Sequence, residues 1–248
     1  MKIYIKNSVL FIVFSLAFII LLFLLLFSKQ YIEKTKKENF VFSSEKKITV
    51  ILDAGHGGED GGASGKNGIL EKDLNLAIST NVGERLKQTG ISVLYTRTED
   101  ALLYDKNVDY TNRKKALDLA ARVNLAQNTP DCVFISIHMN AFPETRYNGL
   151  QTYYSKNNPL SRTLALQIQT AVKCNLQPEN NRKIVMAAGN IFVLDRLECP
   201  AVLIECGFLS NAEEARLLST EIYQNQLSEI LAEEIKKYVE KYSSNLLT

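Results

Sequence analysis

An uninterrupted apolar run, VLFIVFSLAFIILLFLLLF, at residues 9–27 limits the folds that are open to this chain. The run holds one serine and no charged residue. As an α-helix it would be roughly 28 Å long, which is about the thickness of the hydrocarbon core of a bilayer. A helix of a soluble domain needs only one apolar face, so a buried core helix is disfavoured. We therefore expect residues 1–27 to form a signal-anchor or transmembrane segment.

The residues on either side of this run indicate how it is used. Lys2 and Lys6 precede it, as expected when the N-terminus stays in the cytoplasm. No small-residue cleavage motif follows Phe27, which favours a retained anchor over a cleaved signal peptide. We expect residues 28–46 to be a charged tether and residues 47–248 to form one domain outside the cytoplasmic membrane.

Charge and cysteine content narrow the class of protein. The net charge is only +2, and no basic cluster is interleaved with aromatic residues, so we do not expect the chain to bind nucleic acid. The chain has four cysteines and no C-x-x-C pair. Cys199 and Cys206 flank PAVLIE, which as a strand would hold them about 23 Å apart, too far for a disulfide. Cys132 lies in a different apolar run. The pattern predicts that most of the cysteines are small buried hydrophobic residues.

Apolar runs of strand length alternate with segments of helical period over the rest of the chain. Strands are predicted at 48–54, 91–97, 131–138, 149–155, 191–196 and 200–205. Helices are predicted after the first strand as far as Gly90, from Thr111 to Gln127, from about Pro159, and near the C-terminus. This alternation predicts an α/β fold: an open, mostly parallel twisted sheet flanked by helices, in a single domain behind an N-terminal hydrophobic anchor.

At the end of three of the most apolar strands, or just after it, lies a side chain that can bind a metal ion or transfer a proton. His56 and His138 are the two histidines of the chain, and Glu205 ends PAVLIE. The carboxyl ends of parallel strands meet at one edge of a sheet, where ligands bind. Imidazole is the commonest metal ligand, and a catalytic zinc takes three protein ligands. Since there is no third histidine, the predicted third ligand is a carboxylate.

The carboxylates near His56 are the candidates for that ligand: Asp53, Glu59, Asp60, Glu71 and Asp73. Glu71 opens the helix after a glycine-rich loop that could fold back toward His56, but spacing ranks it only modestly above Asp60. The glycines would allow the backbone to turn tightly around an ion. The loop does not match a Walker A phosphate-binding motif, because Asp60 and Asn67 stand where that motif requires Gly and Ser or Thr.

Four motifs, in order, carry a resemblance to a known family: VILDAGHGGEDGGASGKNGILEKDLNL, YTR, FISIHMNAF and PAVLIECGFLSN. Over about residues 48–240 the chain resembles the zinc-dependent N-acetylmuramoyl-L-alanine amidases of the Amidase_3 family. These enzymes cleave the amide between N-acetylmuramic acid and L-alanine in peptidoglycan. The resemblance implies one catalytic Zn²⁺ bound by His56, Glu71 and His138, with Glu205 as the catalytic glutamate. Met139 stands where many relatives have alanine, and we expect it on the opposite face from His138.

The subfamily is indicated by what the chain lacks. No wall-binding repeat is attached, and the segment after His138 is too short for the autoinhibitory helix of some division amidases. The chain therefore looks like the amidases of spore cortex formation, whose action begins muramic-δ-lactam synthesis between the two membranes around the developing spore. Alternatives are another zinc peptidase or deacetylase, a vegetative wall-remodelling amidase, or a protein without activity. An open site also suggests an accessory protein that stabilises zinc binding or activates the enzyme. Asp53 is expected either to support a ligand or to cap a turn.

Overall fold

The computed structural model describes residues 7–42, 48–66, 68–104 and 113–245. The chain divides into two compact units, Met1–Glu45 and Lys46–Thr248. The first unit is a single helix, α1 (Asn7–Phe42). Within it, Phe14–Glu33 is 20 residues long with a mean hydropathy of 2.0, which by length and composition suits a membrane span or a signal sequence. The helix includes most of the segment predicted as a tether, and the domain boundaries themselves stay predictions.

The second unit is built on a six-stranded sheet of order β2-β1-β3-β6-β4-β5. Its strands are β1 (Thr49–Ala54), β2 (Ser92–Tyr95), β3 (Cys132–Asn140), β4 (Gln151–Tyr154), β5 (Val185–Met186) and β6 (Ala201–Phe208). All neighbouring strands pair in parallel except β4 and β6, which are antiparallel. The predicted α/β fold with a mostly parallel sheet is confirmed.

Helices cover both faces of this sheet. They are α2 (Glu71–Gln88), α3 (Lys114–Gln127), α4 (Leu160–Asn175), α5 (Ala212–Leu218) and α6 (Glu221–Asn245). Because strand side chains alternate between faces, the core forms two clusters. The larger cluster joins one face of the sheet to α2, α4 and α6, and the smaller cluster joins the other face to α3. Helix α2 ends close to Gly90, as predicted, whereas the predicted start of α3 at Thr111 lies outside the described residues.

The strand predicted at 191–196 is wrong. This segment is a turn in which Asp195 N donates to Ile191 O at 3.0 Å and Arg196 N donates to Val193 O at 3.2 Å. Val193 and Leu194 are buried in the smaller cluster, so the apolar run is satisfied by packing against the sheet and not by joining it. The edge strand lies earlier, at β5.

Strands β3 and β6 lie side by side in the middle of the sheet and carry two of the candidate residues. Their parallel register pairs His138 with Glu205. His138 lies two residues beyond Ser136 and four beyond Phe134, so its side chain leaves the sheet on the face of the smaller cluster. Met139 packs in the larger cluster on the opposite face, as predicted.

Candidate metal centre

The loop after β1 brings His56 to the carboxyl edge of the sheet. His56 has a φ of +60°, a left-handed conformation that few residues other than glycine adopt. Gly55, just before it, has no side chain because there is no space for one: a Cβ there would lie 2.2 Å from His138 Nε2. The sharp turn and the missing side chain together allow the two histidines to approach one another.

The glycine-rich loop then folds back to place Glu71 beside them. Glu71 is the first residue of α2, and its backbone N donates to Ala63 O at 2.9 Å, which closes the loop. The Glu71 side chain is buried, and its Oε2 accepts from Ala63 N at 2.8 Å. Gly62 lies against this carboxylate at a φ of +68°, and a Cβ there would be 2.5 Å from Glu71 Oε2. Two glycines of the loop therefore leave room for ligand side chains.

The resulting cluster contains two imidazoles around one carboxylate oxygen. Glu71 Oε1 lies 2.8 Å from His138 Nδ1 and 3.2 Å from His56 Nε2. One ligand atom from each of the three residues lies within 4.8 Å of the others. The ring centroids of the histidines are 5.0 Å apart. Two histidines and one glutamate are a donor set typical of catalytic zinc, so these residues fit a metal ion.

The other carboxylate candidates lie in different surroundings. Asp60 Oδ2 is 2.9 Å from His56 Nδ1, on the nitrogen that faces away from Glu71. Such a contact orients a ligating imidazole and fixes its tautomer. Glu59 pairs with Lys114 at 2.8 Å, and Asp73 is exposed on α2. Of the carboxylates considered from sequence, Glu71 is the one that lies between the two histidines.

The charges of the cluster favour a cation. Burial raises the pKa of Glu71, but hydrogen bonds with His138 and His56 lower it to well below its usual range. Burial lowers the pKa of His56, whereas its hydrogen bonds with Glu71 and Asp60 raise it overall. The centre thus holds an ionised carboxylate whose charge favours the protonated form of His56. A metal ion would take the place of that proton and satisfy the same carboxylate.

Glu205 lies next to the cluster without belonging to it. Its Oε2 is buried and has no hydrogen-bond partner among the described residues. Burial raises the pKa of Glu205 to about 7. A carboxyl group with a pKa near neutrality can both accept and donate a proton at physiological pH. It shares with His56 and His138 a cleft of about 380 Å³, whose wall includes Tyr153 and the turn at Asn190–Val193.

A buried arginine that the sequence analysis did not identify supports the loop from behind. Arg122 of α3 is only 1% exposed and pairs with Asp53 and Asp118. Its Nη1 donates to Ala54 O and its Nη2 donates to His56 O, both at 2.8 Å. Arg122 therefore holds the backbone that gives His56 its strained conformation. The sequence did contain one indication of the role of Arg122: Asp118 lies four residues earlier on the same predicted helix, a spacing that allows an ion pair.

Arg97, in the YTR motif, holds the same loop from the other side. It donates to Ala54 O at 2.9 Å and to Gly55 O at 3.0 Å. Among the described residues, Asp53 has no hydrogen bond with either histidine, and it accepts instead from Thr96, Ser136 and Arg122. Although burial raises its pKa, the charge of Arg122 and these hydrogen bonds lower it overall. Asp53 acts on the metal centre through the arginine and not by direct contact.

Replacing Arg122 by alanine is expected to lower the free energy of unfolding by about 3–5 kcal/mol, because it leaves Asp53 and Asp118 buried without a counter-charge. Urea unfolding followed by circular dichroism measures the change. Arg162→Ala, which removes an exposed arginine from α4, is the matched control and should change stability by less than about 0.5 kcal/mol. Equal effects of the two substitutions would contradict a supporting role for Arg122.

Comparison with known proteins gives consistent matches. The family model Amidase_3, described as N-acetylmuramoyl-L-alanine amidase, matches residues 50–237. The germination-specific N-acetylmuramoyl-L-alanine amidase of Bacillus subtilis is 36% identical over 225 residues, covering 91% of this chain and 92% of that protein. The CwlD amidase of Clostridioides difficile, solved in complex with the GerS lipoprotein, has a TM-score of 0.73 and 40% identity over 77% of this chain and 98% of its own. The amidase AmiC2 of Nostoc punctiforme has a TM-score of 0.67 and 31% identity over 78% of this chain and 98% of its own.

Proposed function

Because this chain belongs to the Amidase_3 family of N-acetylmuramoyl-L-alanine amidases, we propose that it is a zinc enzyme in which His56, Glu71 and His138 bind the ion and Glu205 is the catalytic base. The chain is an N-acetylmuramoyl-L-alanine amidase that acts on peptidoglycan. The observation that supports the proposed roles best is the convergence of two imidazoles on Glu71 Oε1, with a partnerless carboxylate oxygen of Glu205 in the same cleft.

The reaction adds water across the amide between the lactyl carbonyl of N-acetylmuramic acid and the nitrogen of L-alanine. When bound, zinc supplies a Lewis acid that polarises the carbonyl and makes a water more acidic. Glu205 accepts a proton from the attacking water through its free oxygen. It then donates this proton to the alanine nitrogen as the C–N bond breaks, so that the amine leaves uncharged. The lactyl group remains on the sugar as a carboxylic acid, which releases its proton to the solvent.

The surroundings of Glu205 suit this double role. Burial disfavours the ionised form, which makes the carboxylate a stronger base than an exposed glutamate. His138, its partner in the register of β3 and β6, ties the position of the base to that of a proposed metal ligand. Asp60 keeps the ring of His56 oriented from the nitrogen opposite Glu71.

We further propose that the enzyme acts in spore cortex maturation, where amide cleavage starts the formation of muramic-δ-lactam. Support comes from the germination-specific relative of Bacillus subtilis. An apolar helix that suits a membrane anchor supports a position outside the cytoplasm, in the space where cortex forms. Muropeptide analysis of spores from a strain that does not make this protein tests this role. A normal muramic-δ-lactam content in those spores would favour a role in vegetative wall remodelling instead.

An accessory protein is also part of the proposal. The Clostridioides difficile relative was solved with a lipoprotein, which supports the idea that a partner stabilises zinc binding or activates this enzyme. The ligand cluster is partly exposed at both histidines, whose side chains are 16% and 19% accessible. The zinc affinity of the chain, measured with and without a candidate lipoprotein partner, tests this point.

Removal of zinc is expected to lower the rate of amide cleavage by more than about a hundredfold, because the base alone cannot polarise the carbonyl. The full chain in detergent, treated with a chelator and then reloaded with zinc, is incubated with isolated peptidoglycan. Amine labelling and mass spectrometry follow the release of new N-terminal alanine. Recovery with zinc but not with magnesium supports the proposed cofactor.

The same assay separates the alternative activities. New amines on residues other than alanine would indicate a peptidase, and new glucosamine would indicate a deacetylase. Full activity in the presence of excess chelator, with no metal in the protein, would contradict the proposed metal centre while leaving the amidase assignment intact.

A further inference from the structure

Two of the four cysteines lie side by side at the end of the sheet opposite the metal centre. Cys132 is the first residue of β3, and Cys199 lies two positions before Ala201, the first residue of β6. The two strands are parallel, with Phe134 opposite Ala201, and Phe134 N donates to Pro200 O at 2.9 Å. Two residues before this pair lie Cys132, the first residue of β3, and Cys199, in the bend that precedes β6.

The two side chains also leave the sheet on the same face. Side chains two positions apart on a strand share a face, so Cys132 follows Phe134. Cys199, in the bend before β6, packs against the same core cluster. Phe134, Ala201 and Cys132 belong to the smaller core cluster, and Cys199 packs against it. Cys132 Sγ donates to Ala126 O at 3.5 Å. The neighbouring Cys199 thiol lowers the pKa of Cys132, and Cys132 raises the pKa of Cys199.

The backbone spacing suits a covalent link. Neighbouring strands lie about 4.8 Å apart, within the range of roughly 4.4–6.8 Å over which Cα atoms can be joined by a disulfide. Cys132 is buried and Cys199 is half-buried, and both line a cleft of about 380 Å³ that opens to solvent. A small reagent can therefore reach the pair from the side of Cys199.

The other two cysteines have different surroundings. Cys174 is exposed on α4. Cys206 is buried in the larger cluster, on the opposite face of the sheet from Cys132. Among the described residues, the geometry therefore singles out one pair of cysteines.

We propose that Cys132 and Cys199 form a disulfide when the domain meets an oxidising environment such as the exterior of the cytoplasmic membrane. The inference goes beyond the proposed amidase function and needs from it only the extracytoplasmic location. The oxidant is a small disulfide. The thiolate of one cysteine attacks it and releases one small thiol, and the thiolate of the other cysteine then attacks the sulfur of the first and releases the second small thiol. Two protein thiols lose two protons and two electrons, and one small disulfide becomes two thiols.

Such a bond would join the start of β3, which carries His138, to the segment just before β6, which carries Glu205. It would close a loop of roughly 67 residues, which restricts the unfolded chain strongly. For a domain of this size, we expect the Tm of the oxidised protein to be about 5–15 °C higher than that of the reduced protein.

The test uses the full chain in detergent, equilibrated with oxidised and reduced glutathione and then quenched with an alkylating reagent in denaturant, so that every free thiol reacts. Intact mass should show two thiols protected in the oxidised sample, and digestion without reductant should yield one linked peptide that joins Cys132 to Cys199. Thermal unfolding of the oxidised and reduced samples measures the shift in Tm.

Three variants make the result specific. Cys199→Ala, at the half-buried position, should fold and lose both the linked peptide and the shift in Tm, and Cys132→Ala should do the same if it folds. Cys174→Ala is the matched control and should keep both. Four alkylated cysteines after oxidation, a link through Cys174, glutathione retained on Cys199 without a cross-link, or an unchanged Tm would each overturn the proposal.

Discussion

Replacing Glu205 by glutamine is expected to lower the rate of amide cleavage by about a thousandfold or more while zinc stays bound. Glutamine has nearly the same shape but cannot accept the proton of the attacking water, and general acid–base catalysis contributes about 10²–10⁴-fold. Amine labelling of digested peptidoglycan measures the rate, and metal analysis of the purified variant measures the zinc. Normal turnover by this variant would show that Glu205 is not the base.

The same variant should be more stable than the parent when both lack metal. The pKa of Glu205 is about 7 in the folded chain against 4.5 for an ordinary glutamate, so the folded state holds the proton more tightly than the unfolded state. Stability is therefore lost as pH rises from about 4.5 to 7, by at most roughly 3 kcal/mol. At pH 8, Glu205→Gln should recover much of this loss, whereas at pH 4 the two proteins should match.

Urea unfolding of the metal-free proteins at the two pH values checks this difference. Glu229→Gln, on the exposed face of α6, is the matched control and should show no such dependence. A Glu205→Gln protein that is less stable than the parent at pH 8 would mean that the ionised carboxylate has a partner that compensates for its burial.

Replacing His138 by alanine is expected to weaken zinc binding by more than about a hundredfold and to abolish activity at ordinary zinc concentrations. The substitution removes one of three proposed ligands, and loss of even a supporting contact of a ligand typically costs 10–100-fold in affinity. Competition with a chromophoric chelator gives the Kd, and activity is assayed at increasing zinc concentration.

Met139→Leu is the matched control for this variant. Met139 is the next residue of β3 but packs in the larger core cluster, so a side chain of similar volume should leave zinc binding unchanged. If His138→Ala bound zinc as tightly as the control, the ligand set would have to be sought elsewhere, first at Asp60, which lies 2.9 Å from His56.

Much of this arrangement could be predicted from the positions of residues at strand ends. His138 and Glu205 follow from two apolar strands, because parallel strands end at the same edge of a sheet. Spacing could not separate Glu71 from Asp60, since both lie near His56 in the chain. The difference arises from loop closure through Ala63 and Glu71, a tertiary property that sequence distance does not show. Only the resemblance to the family indicated Glu71, and not Asp60, as the third ligand.

The remaining features depend on contacts distant in sequence. Arg122 reaches the loop after β1 from α3, although Asp118 on the same helix signalled a possible ion pair. The apolar run at 191–196 has the composition of a strand, but its burial comes from a turn packed on the sheet. The neighbouring positions of Cys132 and Cys199 follow from the pairing of β3 with β6, which could not be read before the strand order was known.

The position of β6 in the sheet affects when the enzyme can become active during its synthesis and folding. It is the last of the described strands, yet it lies inside the sheet between β3 and β4. During synthesis, the proposed metal ligands His56, Glu71 and His138 emerge well before Ala201–Phe208, so a partly emerged chain can gather these ligands but lacks Glu205, the proposed base. Since pairing between distant segments forms late in folding, we expect amidase activity only when nearly the whole domain has left the ribosome. The order of strands thus delays this activity until β6 has been made.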